Sequence, residues 1–222
     1  MLKILLPIRQ KTVRLLFLGA HSDDIEIGCG GTALRLLSEA DEVEVRWVVF
    51  AAAGGRAAEA EASARRFLEG AHKREIVVEN FRDGFFPYVG GTIKEYFERL
   101  KGSFDPDLIL THYRRDLHQD HRLISDLTWN TFRNHLIFEY EIPKYDGDIG
   151  APNLFVHLDA DLCRRKIDYI SRCFASQSGK AWFSEDTFYA MLRLRGLESN
   201  ATSKYAEAFY ARKIVFSANG DE

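Results

Sequence analysis

The stretch VRLLFLGAHSDDIEIGCGGTALRLLSEADEVEVRWVVF, residues 13–50, decides the fold. A short apolar run at 13–20 is followed by an amphipathic pattern at 30–40, and a second apolar run occupies 43–53. Apolar strands that alternate with amphipathic helices are typical of a parallel sheet covered on both faces. This stretch therefore predicts a strand, a helix and a parallel strand.

The same alternation continues outward from this unit, with helices predicted at 55–70 and 91–102 and strands at 74–80 and 106–112. Right-handed crossovers place four such strands in the order 3-2-1-4. Further along the chain, the patterns predict helices at 118–134, 159–176 and 184–196, strands at the start of 136–148 and at 153–158, and a helix passing into a strand at 204–216.

These patterns predict an α/β fold: a Rossmann-like three-layer sandwich with a mostly parallel sheet. No repeat or low-complexity linker interrupts the chain, so the C-terminal strands and helices are assigned to the same single domain, residues 1–222.

The composition bounds the partners and the compartment. The net charge of -3 gives no electrostatic case for nucleic acid binding. The three cysteines are widely spaced and form no CxxC pair, which favours a reducing, cytoplasmic location. Residues 1–11 are too short and too interrupted for a signal peptide, and no stretch approaches the ~20 apolar residues of an integral membrane segment. A homo-oligomer is compatible with all of this.

The polar residues after the first strand suggest chemistry. His21, Asp23 and Asp24 follow the apolar run directly, at the carboxyl edge of the sheet where doubly wound folds bind ligands. Two adjacent carboxylates repel each other, and a metal ion bound by His21 and Asp24 would relieve this, leaving Asp23 to handle water. Alternatively, Ser22 or Asp24 caps the next helix. The glycines of GCGG also raise the alternative of a nucleotide-binding Rossmann protein without metal, although carboxylates beside that turn disfavour phosphate.

A second polar motif follows the fourth strand. HQDH, residues 118–121, places His118 and His121 three residues apart, on one face of a helix start. Strands 1 and 4 are neighbours in the predicted order, so both motifs should share one cleft. His21, Asp24 and a histidine from 118–121 form a two-histidine, one-carboxylate set, which suits catalytic Zn²⁺ and also Fe²⁺. A solvated, histidine-rich helix start is the structural alternative.

At these two motifs the sequence resembles the PIG-L / LmbE-like N-acetylglucosaminyl deacetylase family. The matching segments are AHSDD at 20–24 and HQDH at 118–121, with looser likeness at RAAEA, 56–60, and YAEAF, 205–209. The resemblance implies a Rossmann-like fold and a zinc-dependent amidohydrolase that acts on linear amide C–N bonds. One position departs from the family pattern, because Ser22 stands where proline is usual.

The resemblance also implies roles for single residues. His21, Asp24 and His121 would hold the zinc, and Asp23 would be the general base. His118 would stabilise the oxyanion or protonate the leaving amine.

The resemblance further implies that Asp120 orients its neighbours and that Arg56 contacts substrate, whereas a surface ion pair with Glu59 is the structural alternative for Arg56. We also expect Asp116 or Asp120 to raise the pKa of His118. In the polar loop 143–148, Lys144 and Asp146 are candidate substrate contacts.

The predicted reaction is hydrolysis of an acetyl group from an N-acetylated amino sugar or its conjugate, a small-molecule substrate. An amidase acting on another small amide, such as a thiol conjugate, would use the same site, and a binding module with a vestigial metal site is a further alternative. The absence of a predicted anchor disfavours a substrate embedded in lipid.

Overall fold

A computed structural model describes residues 12–215 of the chain. The prediction about a signal peptide at residues 1–11 and the last position of the predicted 204–216 element lie outside the described residues. The strands are β1 Val13–His21, β2 Val43–Ala51, β3 Lys73–Val78, β4 Leu108–His112, β5 Leu136–Tyr140, β6 Leu154–Leu158 and β7 Tyr205–Ala211. The helices are α1 Asp24–Glu39, α2 Gly55–Phe67, α3 Gly90–Ser103, α4 Gln119–Thr131, α5 Ala160–Cys173 and α6 Glu185–Glu198.

The described strands form one sheet in the order β3-β2-β1-β4-β5-β7-β6. Each of the first five strands pairs in parallel with its neighbours among them, while β7 pairs antiparallel with both β5 and β6. The predicted mostly parallel α/β sheet is therefore confirmed, with the order 3-2-1-4 at its core. The direction of winding reverses at β1, so β1 and β4 flank the crevice where such sheets bind ligands.

Two apolar layers enclose the sheet. On one side α1, α2 and α5 pack through side chains such as Leu34, Phe67 and Ile167, and on the other α3 and α4 pack through Phe97 and Ile124, all of them buried. Within residues 12–215, no helix combines the length and apolarity needed to cross a bilayer.

Two sequence predictions need correction. The segment from 204 was predicted to begin as a helix, but Tyr205–Ala211 is strand β7. Its Ala-rich and Glu-containing sequence favours a helix locally, and pairing along both edges overrides this weak propensity. The helix predicted at 30–40 begins earlier, at Asp24, and its backbone leaves helical geometry at Cys29, with φ -146° and ψ 17°.

Candidate active site

The two predicted motifs meet at the carboxyl edge of the sheet. His21 is the last residue of β1 and Asp24 is the first residue of α1, while His121 lies in the first turn of α4, which follows β4. All three residues are at most 8% exposed. Because β1 and β4 are adjacent in parallel, residues about a hundred positions apart in sequence converge in one cleft.

The spacing of three side-chain atoms fits a tetrahedral metal site. His21 Nδ1 lies 3.1 Å from His121 Nε2 and 3.3 Å from Asp24 Oδ2, and the latter two atoms are 3.5 Å apart. Zinc bonds of ~2.0–2.1 Å at tetrahedral angles require donor atoms about 3.3–3.4 Å apart. The three donors therefore fit one Zn²⁺ and leave further coordination positions open.

A chain of charged groups orients His121. Its Nδ1 lies 3.0 Å from Asp116 Oδ2, which also accepts a hydrogen bond of 2.9 Å from Lys144 Nζ. Lys144 in turn donates to Asp148 over 2.5 Å. Burial raises the pKa of Asp116, but the hydrogen bond and charge of His121, with the charges of His112 and Lys144, outweigh this and lower it. A carboxylate that fixes the outer nitrogen of a metal-binding histidine is a common supporting arrangement.

His21 has carboxylate partners on its other ring nitrogen. Nε2 lies 3.0 Å from Asp83 Oδ1 and 3.3 Å from Asp120 Oδ2. Asp120 also accepts hydrogen bonds from the amides of Gly84 and Phe86, so it ties the loop after β3 to the start of α4. Sequence reasoning did not single out Asp83, although its position shortly after a strand of the parallel sheet was a usable signal.

We call the atoms His21 Nδ1, Asp24 Oδ2 and His121 Nε2 the donor triangle. Asp23 lies beside the donor triangle without belonging to it. It is 4% exposed, and its Oδ2 atom has no hydrogen-bond partner among the described residues. Burial and the negative charge of Asp24 raise the pKa of Asp23 to about 6, although Arg56 and His21 act in the opposite direction. A buried, unpaired carboxylate oxygen with this pKa is suited to accept a proton near neutral pH.

Arg56 reaches the same cleft from the start of α2. One of its terminal nitrogens lies 3.5 Å from Asp23 Oδ1, and the other lies 3.8 Å from Asp83 Oδ2. Glu59, considered as a surface partner for Arg56, bonds instead to the backbone amide and hydroxyl of Ser176. The guanidinium therefore belongs to the cleft.

His118 is half-buried and caps α4. Its Nδ1 accepts a hydrogen bond of 3.3 Å from the Asp120 amide, which leaves the ring proton of the neutral imidazole on Nε2. The expected rise in the pKa of His118 is wrong. Burial lowers the pKa first, and the charges of His121 and His21 lower it further, against a smaller opposing effect of Asp120.

His112 is a neighbour of the site whose role the sequence left open. It is fully buried, its Nε2 accepts a hydrogen bond of 2.9 Å from the Ala20 amide, and the same nitrogen lies 3.2 Å from Asp24 Oδ2. Its ring stacks on His121, with centroids 4.0 Å apart. His112 therefore contacts the Asp24 carboxylate and packs against the His121 ring, so it holds both groups in place.

The two candidate substrate contacts in the 143–148 loop differ in position. Lys144 is largely buried and forms ion pairs with Asp116 and Asp148, so it supports His121 indirectly through Asp116. Asp146 is exposed on the loop. At the GCGG segment, the amides of Gly31 and Thr32 donate to the buried Glu207 carboxylate, so these two amides do not face a phosphate.

The chain belongs to the PIG-L family. Residues 16–132 match the family model described as PIG-L, GlcNAc-PI de-N-acetylase. This match covers more than half of the chain and includes both motifs of the cleft. A comparison with curated protein sequences finds no match.

Solved structures share the fold at low sequence identity. A conserved protein from Thermus thermophilus is 20% identical, with a TM-score of 0.69 and coverage of 95% of this chain and 100% of that chain. An N,N'-diacetylchitobiose deacetylase from Pyrococcus horikoshii is 22% identical, with a TM-score of 0.65 and coverage of 90% and 84%. A 4-carboxy-2-hydroxymuconate hydratase from Pseudomonas putida is 17% identical, with a TM-score of 0.70 and coverage of 94% and 99%. Since this fold supports a deacetylase and a hydratase, the reaction has to be argued from the site.

Proposed function

We propose that the chain is a zinc-dependent, cytoplasmic N-deacetylase that hydrolyses the acetamide of an N-acetylated amino sugar, such as N-acetylglucosamine, or of its small-molecule conjugate. The observation that carries the proposal is the donor triangle of His21 Nδ1, Asp24 Oδ2 and His121 Nε2, with an unpaired carboxylate oxygen of Asp23 beside it. Membership of the PIG-L family supports the reaction type.

The metal would be held by these three side chains, and the two-histidine, one-carboxylate set also accepts Fe²⁺. When bound, zinc supplies Lewis-acid chemistry that acidifies water and polarises an amide carbonyl. The protein fixes the ligands through Asp116 behind His121 and through Asp83 and Asp120 behind His21. Asp120 is therefore proposed as a positioning residue, consistent with the orienting role expected of it.

Asp23 is proposed as the general base. Its free Oδ2 accepts a proton from the attacking water, whose oxygen forms a bond to the acetamide carbon. The same carboxyl group then delivers that proton to the nitrogen as the C–N bond breaks. Water and the amide are thereby converted to acetic acid and a free amine, and transfer of the acid's proton to the amine gives acetate and the ammonium form. No oxidant or reductant is required.

His118 is proposed as the donor that stabilises the oxyanion. Because its Nδ1 accepts the Asp120 amide, Nε2–H of the neutral ring is the hydrogen available to the developing negative charge. The lowered pKa of His118 agrees with a neutral donor. This geometry favours oxyanion stabilisation over protonation of the amine.

Arg56 is proposed to contact the substrate. Its guanidinium lies at the cleft with long contacts to Asp23 and Asp83, so it retains N–H donors for a hydroxyl or an anionic group of the sugar. Asp146, exposed on the 143–148 loop, stays a proposal at the outer edge of substrate binding.

The deciding experiment combines metal analysis with an assay for acetate. Chain purified without a histidine tag is analysed for bound metal and incubated with a panel of N-acetylated sugars, an N-acylated thiol conjugate and an unsaturated carboxylic acid as a hydratase substrate. We expect about one zinc or iron per chain and acetate release from at least one sugar. A chain that binds metal but hydrates the unsaturated acid, or that cleaves only the thiol conjugate, would contradict the sugar deacetylase.

A further inference from the structure

The first helix of the site is broken, and the break lies next to catalytic residues. α1 spans Asp24–Glu39, but Cys29 has φ -146° and ψ 17°, so a single turn carrying Asp24 precedes the longer remainder. A break in a helix leaves carbonyls and amides without partners inside it. One turn has almost no stability of its own, because helix nucleation is unfavourable. Something outside the helix must therefore hold this turn.

Two buried charged residues supply hydrogen bonds to backbone groups on both sides of the break. Glu207 on β7 accepts hydrogen bonds of 2.8 Å from the Gly31 amide and 2.6 Å from the Thr32 amide. Lys166 on α5 donates 2.7 Å to the Ile27 carbonyl, and its ammonium group lies 2.6 Å from Glu207 Oε1. Both side chains are about 3% exposed. We call this pair, Lys166 and Glu207, the helix brace.

The brace accounts for two motifs that the catalytic site leaves unexplained. The glycines of GCGG allow close packing at the break, because a Cβ on Gly28 would lie 2.2 Å from the Tyr140 ring and one on Gly31 would lie 2.4 Å from Leu158. The YAEAF segment, 205–209, forms the first five residues of β7 and places Glu207 against that break. One motif thus shapes the break, and the other caps it.

We propose that Lys166 and Glu207 are positioning residues that set the orientation of the first turn of α1, and through it the metal ligand Asp24. This inference rests on the proposed function, because it assigns the site a bound metal. Glu207 caps the amides that begin the second part of α1, while Lys166 caps the carbonyl that ends the first turn. The ion pair between them links the two parts of the helix across Cys29. Neither residue touches the donor triangle, so the action on Asp24 is indirect.

The test compares zinc affinity and amide exchange in brace variants. Glu207→Gln keeps the side-chain size but leaves the Lys166 ammonium without a negative partner. The double variant Lys166→Met/Glu207→Gln removes both charges. We expect each to bind zinc up to about tenfold more weakly in chelator competition. This is the lower end of the loss for groups that hydrogen-bond a metal ligand directly, because the brace acts on Asp24 through the backbone. In the metal-free chain, we expect faster hydrogen exchange at the amides of 25–29 than in the wild type. With an acetylated sugar, kcat falls while KM stays close to the wild-type value.

The matched control is Leu100→Ala, a buried position near the C-terminal end of α3 and therefore near the opposite edge of the sheet. It lowers stability through a core cavity without touching α1, and we expect unchanged zinc affinity and exchange at 25–29. Folded brace variants that bind zinc like the wild type and show unchanged exchange would overturn the proposal. If Glu207→Gln does not fold, the zinc affinity and amide exchange of the double variant Lys166→Met/Glu207→Gln test the proposal instead.

A measurement on the unmodified chain provides an independent check. The Gly31 and Thr32 amides, held by Glu207, should exchange only through global unfolding, and exchange by a low-energy local opening would refute the brace. The assay also separates the two proposals. Wild-type chain that binds zinc but releases no acetate contradicts the deacetylase and leaves the affinity comparison valid, whereas wild-type chain that binds no metal contradicts both.

Discussion

Asp116 is the position where the structure makes its sharpest prediction. Its carboxylate accepts three hydrogen bonds. Oδ2 accepts one of 3.0 Å from His121 Nδ1 and one of 2.9 Å from Lys144 Nζ. Oδ1 accepts one of 2.8 Å from the His118 amide. Asp116→Asn keeps the shape but removes the charge, and it places an NH₂ group opposite one of these donors. We expect the His121 ring to lose its fixed orientation and the metal to bind more weakly.

These contacts set the expected losses of zinc affinity and of stability in Asp116→Asn. Loss of a carboxylate behind a metal-binding histidine costs about 10- to 100-fold in metal affinity or activity, which is about 1.4–2.7 kcal/mol. Removing one partner of a buried ion pair costs about 3–5 kcal/mol in stability. The cost should lie below that range here, because Lys144 keeps Asp148 at 2.5 Å.

The assay is chelator competition for zinc, together with urea unfolding of the metal-free chain. Asp148→Asn is the matched control, because it disrupts the ion pair between Lys144 and Asp148 and leaves the bond between Asp116 and His121 intact. Its zinc affinity should therefore change by less than tenfold.

The pKa of Asp116 is lowered in the folded state, so its contribution to stability is present above the unfolded pKa of about 3.9 and is lost as pH falls through the lower folded value. The stability difference between Asp116→Asn and the wild type should therefore vanish in strong acid. Unchanged zinc affinity in Asp116→Asn would refute the orienting role.

Three further substitutions test the remaining assignments. Asp23→Asn should retain zinc and lose about 100- to 10,000-fold in kcat. In the wild type, kcat/KM should rise with pH as Asp23 ionises, and a variant that retains this rise would exclude Asp23 as its source. His118→Ala should retain zinc, shown by metal analysis, and lose about 100- to 1,000-fold in kcat, whereas metal-free protein would make His118 a ligand. Ser22→Ala should raise the free energy of unfolding by about 1 kcal/mol in urea titration, since Ser22 Oγ is buried without a hydrogen-bond partner among the described residues; a loss of stability would show that the hydroxyl is bonded.

The sheet and the donor triangle were predictable because their signals are local. The buried parallel strands β1, β4 and β5 are short, nearly continuous apolar runs, whereas the edge strand β3 is apolar only at 76–78. Right-handed crossovers then fix the order of the first four strands. Residues that follow β1 and β4 must meet at one edge of such a sheet. This rule alone brings the segment of His21 and Asp24 to that of His121, before any distance is known.

The supporting residues were not predictable in the same way, because their partners are distant in sequence. Lys144 pairs with Asp116, 28 residues earlier, and nothing in the sequence around Lys144 indicates this partner. The strand β7 has a sequence that is compatible with a helix, and only its pairing with β5 and β6 makes it a strand. Such pairings depend on how the whole chain packs, and no local pattern encodes them.

The balance of charge in the cleft gives a final, independent test of the metal. Asp23, Asp24, Asp116 and Asp120 are each at most 4% exposed. Within residues 12–215, Lys144 and Arg56 bring positive charge to this group. In the metal-free chain His21 adds a further charge, because burial lowers its pKa but Asp24, Asp120 and Asp83 outweigh this and raise it. Burying carboxylates without matching positive charge is costly, and a dication offsets two of them. Folding and metal binding should therefore be strongly linked.

The size of this linkage can be estimated. At a free zinc concentration of about 1,000 times Kd, bound metal adds about 4 kcal/mol to stability. For a chain of this size, 1 kcal/mol shifts Tm by about 2–4 °C, so chelation should lower Tm by about 8–16 °C. The shift should shrink in acid, because protons compete with the metal for His21, Asp24 and His121. Two samples at neutral pH are compared, one with zinc in excess and one with a chelator in excess. Equal melting temperatures would show that the donor triangle does not bind the ion in the folded chain.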